Sequence, residues 1–475
     1  MNNSIYNFIH TEKSRRLASI FKTIAVATAI ATGTSSCSDI IDKDPILDTS
    51  ESSIFSSKSQ ITNYLEGVYK RLGDALPGYF MTTEMRGDEF EDLVQNGNLN
   101  SYEMNVPVSG SSGEWNNLYK AIGEANDFLN NLANAKDIVG EDYERLRSEA
   151  LFVRALSHYY LVVLYARTYH LNPSAKAVPI RIGTAATSGN NLAASTIEEV
   201  HQQIFEDVSD ENISHLSTER NSLKGVTHAT QAAAHALRQR LYLERWDWDN
   251  VIEEGKKIAE FNYDLRSLTS IFTSPYYTEE SILSFPYSVN NKNSLGSNYY
   301  LANSRALEDN YSGIYALPLY SQEADIRKSA LTVKPNTHIT ISKYTDVSSG
   351  TDWIPVFRYA ETLLNLSEAY YNKGNEGKAK EYLSKVRRRS ISAEDDALDI
   401  EPLTGEELKE AIYNERRLEF VGEGIRSIDI HRRGDTFDKR KGAVHEIIVK
   451  PTDDGYIYPI PLSETSQNKL IKADN

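Results

Sequence analysis

The sequence predicts a mostly α fold in which helix pairs stack as degenerate repeats, broken by one loop-rich segment with a few short strands. Three observations carry this. Apolar residues recur at helical spacing from Ile61 to Phe261 and again from Pro355 to Gly422. Leu366, Ser367, Tyr370, Ala379, Leu383 and Val386 fall at the spacing of a tetratricopeptide repeat around a turn at Lys373-Gly374-Asn375. Between the helical stretches, residues 265–353 are rich in Tyr, Ser and Asn and carry Pro275, Pro286 and Pro318.

Residues 1–36 read as an export signal. Lys13, Arg15, Arg16 and Lys22 lead into the short apolar run Ile24 to Ala31, and Gly33-Thr34-Ser35-Ser36 precede Cys37. A charged start, an apolar stretch and small residues before a cut site describe a secretory signal. The run falls far short of the ~20 residues that span a bilayer. Cys37, the single cysteine, is placed for acylation, which would tether the mature chain to a membrane through its lipid chains. Thr34 stands where such cut sites usually carry Leu, Val or Ile, and an ordinary signal with an incidental cysteine is the alternative. With one cysteine no internal disulfide forms, so stability must come from a core. Residues 37–60 read as an acidic, Ser-rich tether and 61–475 as one helical domain.

The chain carries a net charge of −16, and loss of residues 1–36, with four positive residues and one negative, leaves −19. This balance argues against nucleic acid, which is bound by Lys and Arg set against phosphates, and against an anionic membrane surface as an electrostatic partner.

Taken in order, Ile61, Leu65, Val68, Tyr69 and Leu72 mark the buried face of a first helix. Trp115, Tyr119, Ile122, Asn126 and Leu129 mark a second. Asp142 to Tyr169 predicts a long helix with Leu151, Ala155, Tyr159 and Val162 on one stripe. Thr196 to Val208 begins at a Ser195-Thr196 cap ahead of Glu198 and Glu199. Thr227 to Leu243 and Asp249 to Phe261 predict a helical hairpin, and Tyr242, Val251 and Ile258 make it a weaker copy of the repeat. Ser281 to Tyr287 reads as extended. Helices are expected again at Pro355 to Tyr371 and Gly377 to Arg389, with a last one opening on a Thr404–Glu407 capping box and running to about Gly422. The tail Ile457 to Pro461 reads as extended.

Several of these stretches resemble the SusD/RagB family of nutrient-capturing surface lipoproteins. Ile412, Glu415-Arg416-Arg417, Glu419-Phe420, Glu423-Gly424, Arg426 and Asp429-Ile430 match one family pattern. Arg358-Tyr359-Ala360-Glu361 with Glu368-Ala369, then Val386-Arg387, match another. Tyr458-Pro459-Ile460-Pro461 with Glu464 matches the terminal motif. Trp115, Tyr119, Ile122 and Asn126, then Glu149-Ala150, Arg154-Ala155 and Tyr159, match the N-terminal helices. Tyr165-Ala166-Arg167 departs from the family's Tyr-Gly-x-x-Pro, and the middle segment is short for the family.

The resemblance implies a SusD-like fold and a non-catalytic lipoprotein, surface-exposed on the outer membrane. It implies oligosaccharide capture and delivery to a SusC-like TonB-dependent transporter, without a cofactor. Peptide cargo, as in the RagB branch, is the alternative, and the short, Trp-poor middle segment suits it.

Glu415, Glu419 and Glu423 recur at i, i+4 steps, where like charges repel unless cations answer them. A carboxylate pair of glycosidase type is one reading. The favoured one is an ion-pair network of Glu415, Arg416, Glu419, Glu423, Arg426 and Asp429, with Arg426, Arg417 and Arg358 answering the glutamates and Arg416 within reach of Glu419 and Glu423. Ten histidines show no metal spacing, with His228 and His235 seven apart on one expected helix. No GxSxG elbow or phosphate loop is present.

Sugar rings offer apolar faces and hydroxyl rims, which suit aromatic and Asn, Asp or Arg side chains on loops held by a rigid scaffold. The candidates are Arg86, Asp88, Asn96, Asn100 and Tyr102 after the first helix, and Tyr276, Tyr277, Tyr299, Tyr300, Tyr311 and Tyr315 in the middle segment. Packing of these tyrosines beneath loops is the competing reading. Trp115 and Trp353 fall inside family helix motifs, which implies core positions.

Overall fold

The computed structural model describes residues 55–92, 99–184, 191–300, 305–307, 324–334, 339–441 and 444–471. The export segment, Cys37, Asn96, Tyr311 and Tyr315 lie outside the described residues. No helix among the described residues is long and apolar enough to cross a membrane.

The first helix, α1 (Lys58–Arg86), is capped by Ser57, whose side chain accepts from the Gln60 N–H. Its first half is amphipathic, with Ile61, Leu65, Val68, Tyr69 and Leu72 buried as expected. From Tyr79 to Arg86 every residue is buried, so α1 drives the polar side chains of Thr83, Glu84 and Arg86 into the interior. The helices α2 (Ser112–Leu132), α3 (Tyr143–Tyr165) and α4 (Ile197–Asp207) pack in succession, with α1 against α2 and α3. The Thr196–Glu199 capping box at the start of α4 is complete.

The long helix stops at Tyr165 rather than Tyr169 because tertiary bonds pull the chain out of it. Ala166 is extended, the Thr168 hydroxyl donates to the His431 carbonyl at 2.7 Å, and Arg167 donates to the Pro451 and Asp453 carbonyls.

Both predicted hairpins form, as α5 (Gln231–Glu244) with α6 (Trp248–Ala259) and α7 (Tyr359–Asn372) with α8 (Glu376–Arg387). Their turns are the same device. The Asp247 N–H bonds the Tyr242 carbonyl at 3.0 Å, and the Asn375 N–H bonds that of Tyr370 at 2.8 Å. Asp247 and Asn375 each cap the helix that follows. The left-handed residue before the cap is Gly374 in one and Trp246 in the other. The copy that is weak in sequence is therefore fully formed. Helix α6 packs on α7, and Leu243, Val251, Ile252, Leu366 and Ala369 share one buried cluster. A Cβ on Gly255 would meet Leu366 at 2.7 Å, so a residue without a side chain sets the helix spacing there.

Three further boundaries differ from expectation. Helix α5 begins at Gln231, not Thr227, because Thr230 supplies the cap; His228 ends a separate one-turn helix, Leu223–Thr227, and so is not on one helix with His235. Residues Ile354–Arg358 form strand rather than the first turn of α7. They pair antiparallel with Ser281–Phe285 and are buried throughout, a setting that favours Ile354, Val356 and Phe357 in a pleated strand. The Thr404–Glu407 box is absent. Gly405 enters α9 (Gly405–Phe420) with φ +52°, its N–H donates to Glu376, and Thr404 makes no side-chain cap. Beyond α9 a short helix, α10 (Arg426–Arg433), ends on left-handed Gly434.

The strands among the described residues form two-stranded antiparallel pairs: β1 (Phe90–Asp92) with β3 (Arg305–Leu307), β2 (Ser281–Phe285) with β6 (Ile354–Arg358), β4 (Thr332–Val333) with β5 (Thr340–Ile341), and β7 (Phe437–Lys441) with β8 (Val444–Val449). Three of these pairs involve the loop-rich middle segment, so the helical repeats act as a scaffold for it.

Candidate functional site

Arg358, the last residue of β6, is 3 % exposed and lies among carboxylates from three segments. It donates to Glu423 at 2.7 Å and 2.9 Å, to Glu419 at 2.6 Å and to Glu280 at 2.9 Å. Arg327 and Arg387 hold Glu415 at 2.6 and 2.9 Å, Arg389 bonds Glu280 and Glu419, and Lys343 bonds Glu423. Burial alone would raise the Glu419 carboxyl, but Arg389, Arg358 and Arg327 hold it well below the usual carboxylate range. A carboxylate locked this way is a poor proton donor and a shielded nucleophile, and the arrangement ties α8 and α9 to the middle segment.

Some partners differ from those expected. Arg416 turns to Asp429 at 2.8 Å and Asn365 at 2.6 Å, away from Glu419 and Glu423. Arg426 and Arg417 leave the glutamates of α9 and bond Asp88 at 2.6 Å and Glu89 at 2.7 Å. Arg432 bridges Asp429 and Glu368. Sequence reasoning missed Arg327, Lys343 and Arg389, since only folding brings residues so distant in the chain together.

The same packing removes several ligand candidates from solvent. Arg86 is 4 % exposed, donates to the Tyr456 carbonyl at 2.6 Å and lies over the Phe437 and Tyr458 rings. Both Asp88 oxygens face Arg426. Tyr299 is 1 % exposed, against Phe90 and Tyr344. Arg86 and Tyr299 are core residues and partly buried Asp88 is taken up by its ion pair, because a charged or phenolic group on a buried element binds the protein's own polar atoms first. Tyr102 is half-buried with Lys439 4.2 Å above its ring, and Asn100 belongs to the one-turn helix Leu99–Tyr102. Tyr277 and Tyr300 remain partly exposed.

Tyr276 is the candidate that lies on a built surface. It adopts φ +65° and stacks on Trp353, ring centroids 5.2 Å apart and planes 11° from parallel. Trp353 is half-buried and outside α7, so its expected core position is corrected: the motif residue precedes β6 and turns to Tyr276. Trp115, by contrast, is core at 2 % exposure.

The Tyr276 hydroxyl donates to Asp352 at 3.1 Å; burial and that carboxylate push the phenol up, so it stays protonated. Asp352 also accepts from the Asp346 N–H at 2.8 Å, and its carbonyl takes the Asn293 amide at 2.6 Å. Asp346, bonded by Thr351 and Ser349, is held down to about 2 and closes the 346–352 loop on itself. Lys292, Ser294 and Ser348 are exposed on the same loops, with Lys292 3.4 Å from the Ser348 carbonyl. The result is a stacked pair of aromatic rings on loops that also expose an amine and two hydroxyls. Such a surface can stack on an apolar ring face and bond its polar rim.

Residues 40–243 match a family model described as starch-binding and associating with the outer membrane, and residues 329–475 match the SusD family model. A SusD superfamily protein from Bacteroides fragilis is 41 % identical, with TM-score 0.83 over 88 % of this chain and 100 % of that one. The chain belongs to the SusD/RagB family. A SusD superfamily protein from Bacteroides thetaiotaomicron VPI-5482 (22 % identity, TM-score 0.77, 88 % and 100 % of the two chains) shares the fold. So does surface glycan-binding protein A from Bacteroides fluxus (19 %, TM-score 0.70, 88 % and 98 %). No curated protein sequence matches significantly.

Proposed function

We propose that the chain is a non-catalytic lipoprotein of the outer membrane that captures oligosaccharides and delivers them to a SusC-like TonB-dependent transporter. The stacked pair Tyr276–Trp353, edged by polar loop groups, carries this reading. It is supported by the matching family description of starch binding at the outer membrane and by the glycan-binding name of a structural relative. In this reading Cys37 is the acylated residue, residues 37–60 are the tether and residues 61–475 are one ligand-presenting domain. The buried glutamates serve structure rather than hydrolysis, in keeping with a family of binding proteins.

Calorimetry on the full-length protein with neutral oligosaccharide and peptide pools tests the cargo. Binding of a glycan, weakened about fivefold or more by Trp353→Ala, is expected, since stacking on one aromatic ring contributes roughly 1 kcal/mol or more. A response to peptides alone would overturn the cargo. Cys37→Ala should move the protein from the membrane to the soluble fraction, and unchanged fractionation would remove the anchor from this reading.

A further inference from the structure

A separate cleft opens where α7 and α8 meet the segment after α6. Its volume is about 710 Å³, within the ~300–1,000 Å³ usual for small-molecule sites. Tyr263 and Tyr359 form one wall, their rings 6.1 Å apart and 30° from parallel, with Leu265 and Leu363 beside them. Four cations line the rest, namely Arg266, Lys385, Arg388 and Arg389, against the single carboxylate of Asp264. In a chain of net charge −16, a cleft lining of four cations to one carboxylate is a local departure from the whole.

Each cation has a carboxylate behind it, yet two keep donors to spare. Arg266 uses Nε on Glu279 at 2.9 Å, and its side chain is 44 % exposed. Arg388 uses Nη1 on Asp396 at 2.6 Å and is 31 % exposed. Among the described residues neither guanidinium has a protein acceptor for its remaining side-chain nitrogens. Among the described residues Lys385 pairs with exposed Glu381, an interaction of little strength in water, and lies 4.6 Å from the Tyr382 ring centroid. Arg389 is committed to Glu280 and Glu419 and anchors the cleft to the buried ion-pair network.

A guanidinium with free N–H groups matches the geometry of a planar carboxylate or a sulfate. A tyrosine wall matches the apolar face of a sugar ring. We propose that this cleft is a second saccharide subsite that takes a sugar residue bearing a carboxylate or sulfate, held by Arg266 and Arg388 with Lys385 close by. The proposal rests on the reading of the chain as a glycan-capture protein and adds the acidic class to its ligands.

Calorimetry on the full-length protein with a galacturonate trisaccharide, a sulfated trisaccharide and neutral maltotriose tests it. At least one acidic probe should bind, weaken tenfold or more in Arg266→Ala/Arg388→Ala, weaken with added salt, and be unaffected by Trp353→Ala. The two probes distinguish carboxylate from sulfate. Equal acidic binding by wild type and the double variant, or neutral binding without any acidic binding, overturns the subsite and leaves the capture function standing. Failure of all three probes counts against both readings. Both arginines are partly exposed, and circular dichroism of the double variant separates lost binding from lost fold.

Discussion

Arg358 makes five hydrogen bonds from a nearly dry site, to Glu280, Glu419, Glu423 and the Glu419 carbonyl. Taking such charges out of water costs several kcal/mol each, and the cost is met only while every partner is in place. Arg358→Met should therefore lower stability by about 3–5 kcal/mol in urea titration. Lys70→Ala, at the exposed Lys70–Asp74 pair, should leave the midpoint where it is. A small effect of Arg358→Met would mean that the glutamates find other cations. The identity of these residues was legible in the Glu415 to Asp429 motif, but their pairing was not. Arg416 sits three residues before Glu419, yet its guanidinium follows the inward face of α9 to Asp429 on α10. Likewise, loop composition pointed to Tyr276 and Tyr299 alike, and only packing separates a half-exposed ring from one buried at 1 %.

At the scale of elements, two glycines separate backbone strain from crowding. Gly374 turns α7 into α8 with φ +75°, and an added Cβ there meets nothing within 4 Å. Gly374→Ala should cost about 1–2 kcal/mol from the left-handed conformation alone. Gly422 brings the chain out of α9 with φ +79°, and its Cβ would lie 2.1 Å from Ile341 Cδ1. Gly422→Ala should cost more, and Ile341→Val, which removes that methyl, should return the excess but not the strain. Equal thermal melting shifts for both glycine variants would refute this division. The repeat around Gly374 was readable because its small and large residues alternate at fixed spacing. The strand Ile354–Arg358 was not, since its pairing with Ser281–Phe285 joins segments some seventy residues apart. Helix α10 carried a signal that went unread: His431, Arg432 and Arg433 in the last turn, then Gly434.

Across the whole molecule, buried ionisable groups make stability depend on pH from two sides. His158 and His201 are pushed down to about 3 and His431 to about 4, mainly by burial, so acid below the unfolded value near 6.5 protonates the unfolded chain first and destabilises the fold. Glu84 is pushed up to about 8 and Glu244 to about 7 by burial, so the folded state keeps protons that the unfolded state loses above about 4.5. Their contribution is present in acid and fades as pH rises from about 4.5 to 8. Glu84→Gln should therefore gain thermal stability relative to wild type as pH rises through that window. Parallel melting curves at every pH would show that Glu84 is ionised in the fold.

What the sequence determined by itself was local: helical periodicity, the repeat turn and the family motifs, each written in residues close together along the chain. What only the tertiary structure decided was which side chain answers which. Burial desolvates Arg86 and Tyr299 and forces them onto partners inside the protein, and Arg426 occupies both oxygens of Asp88, whereas Tyr276 and Trp353 meet at a loop surface where water, and so a ligand, can still reach them.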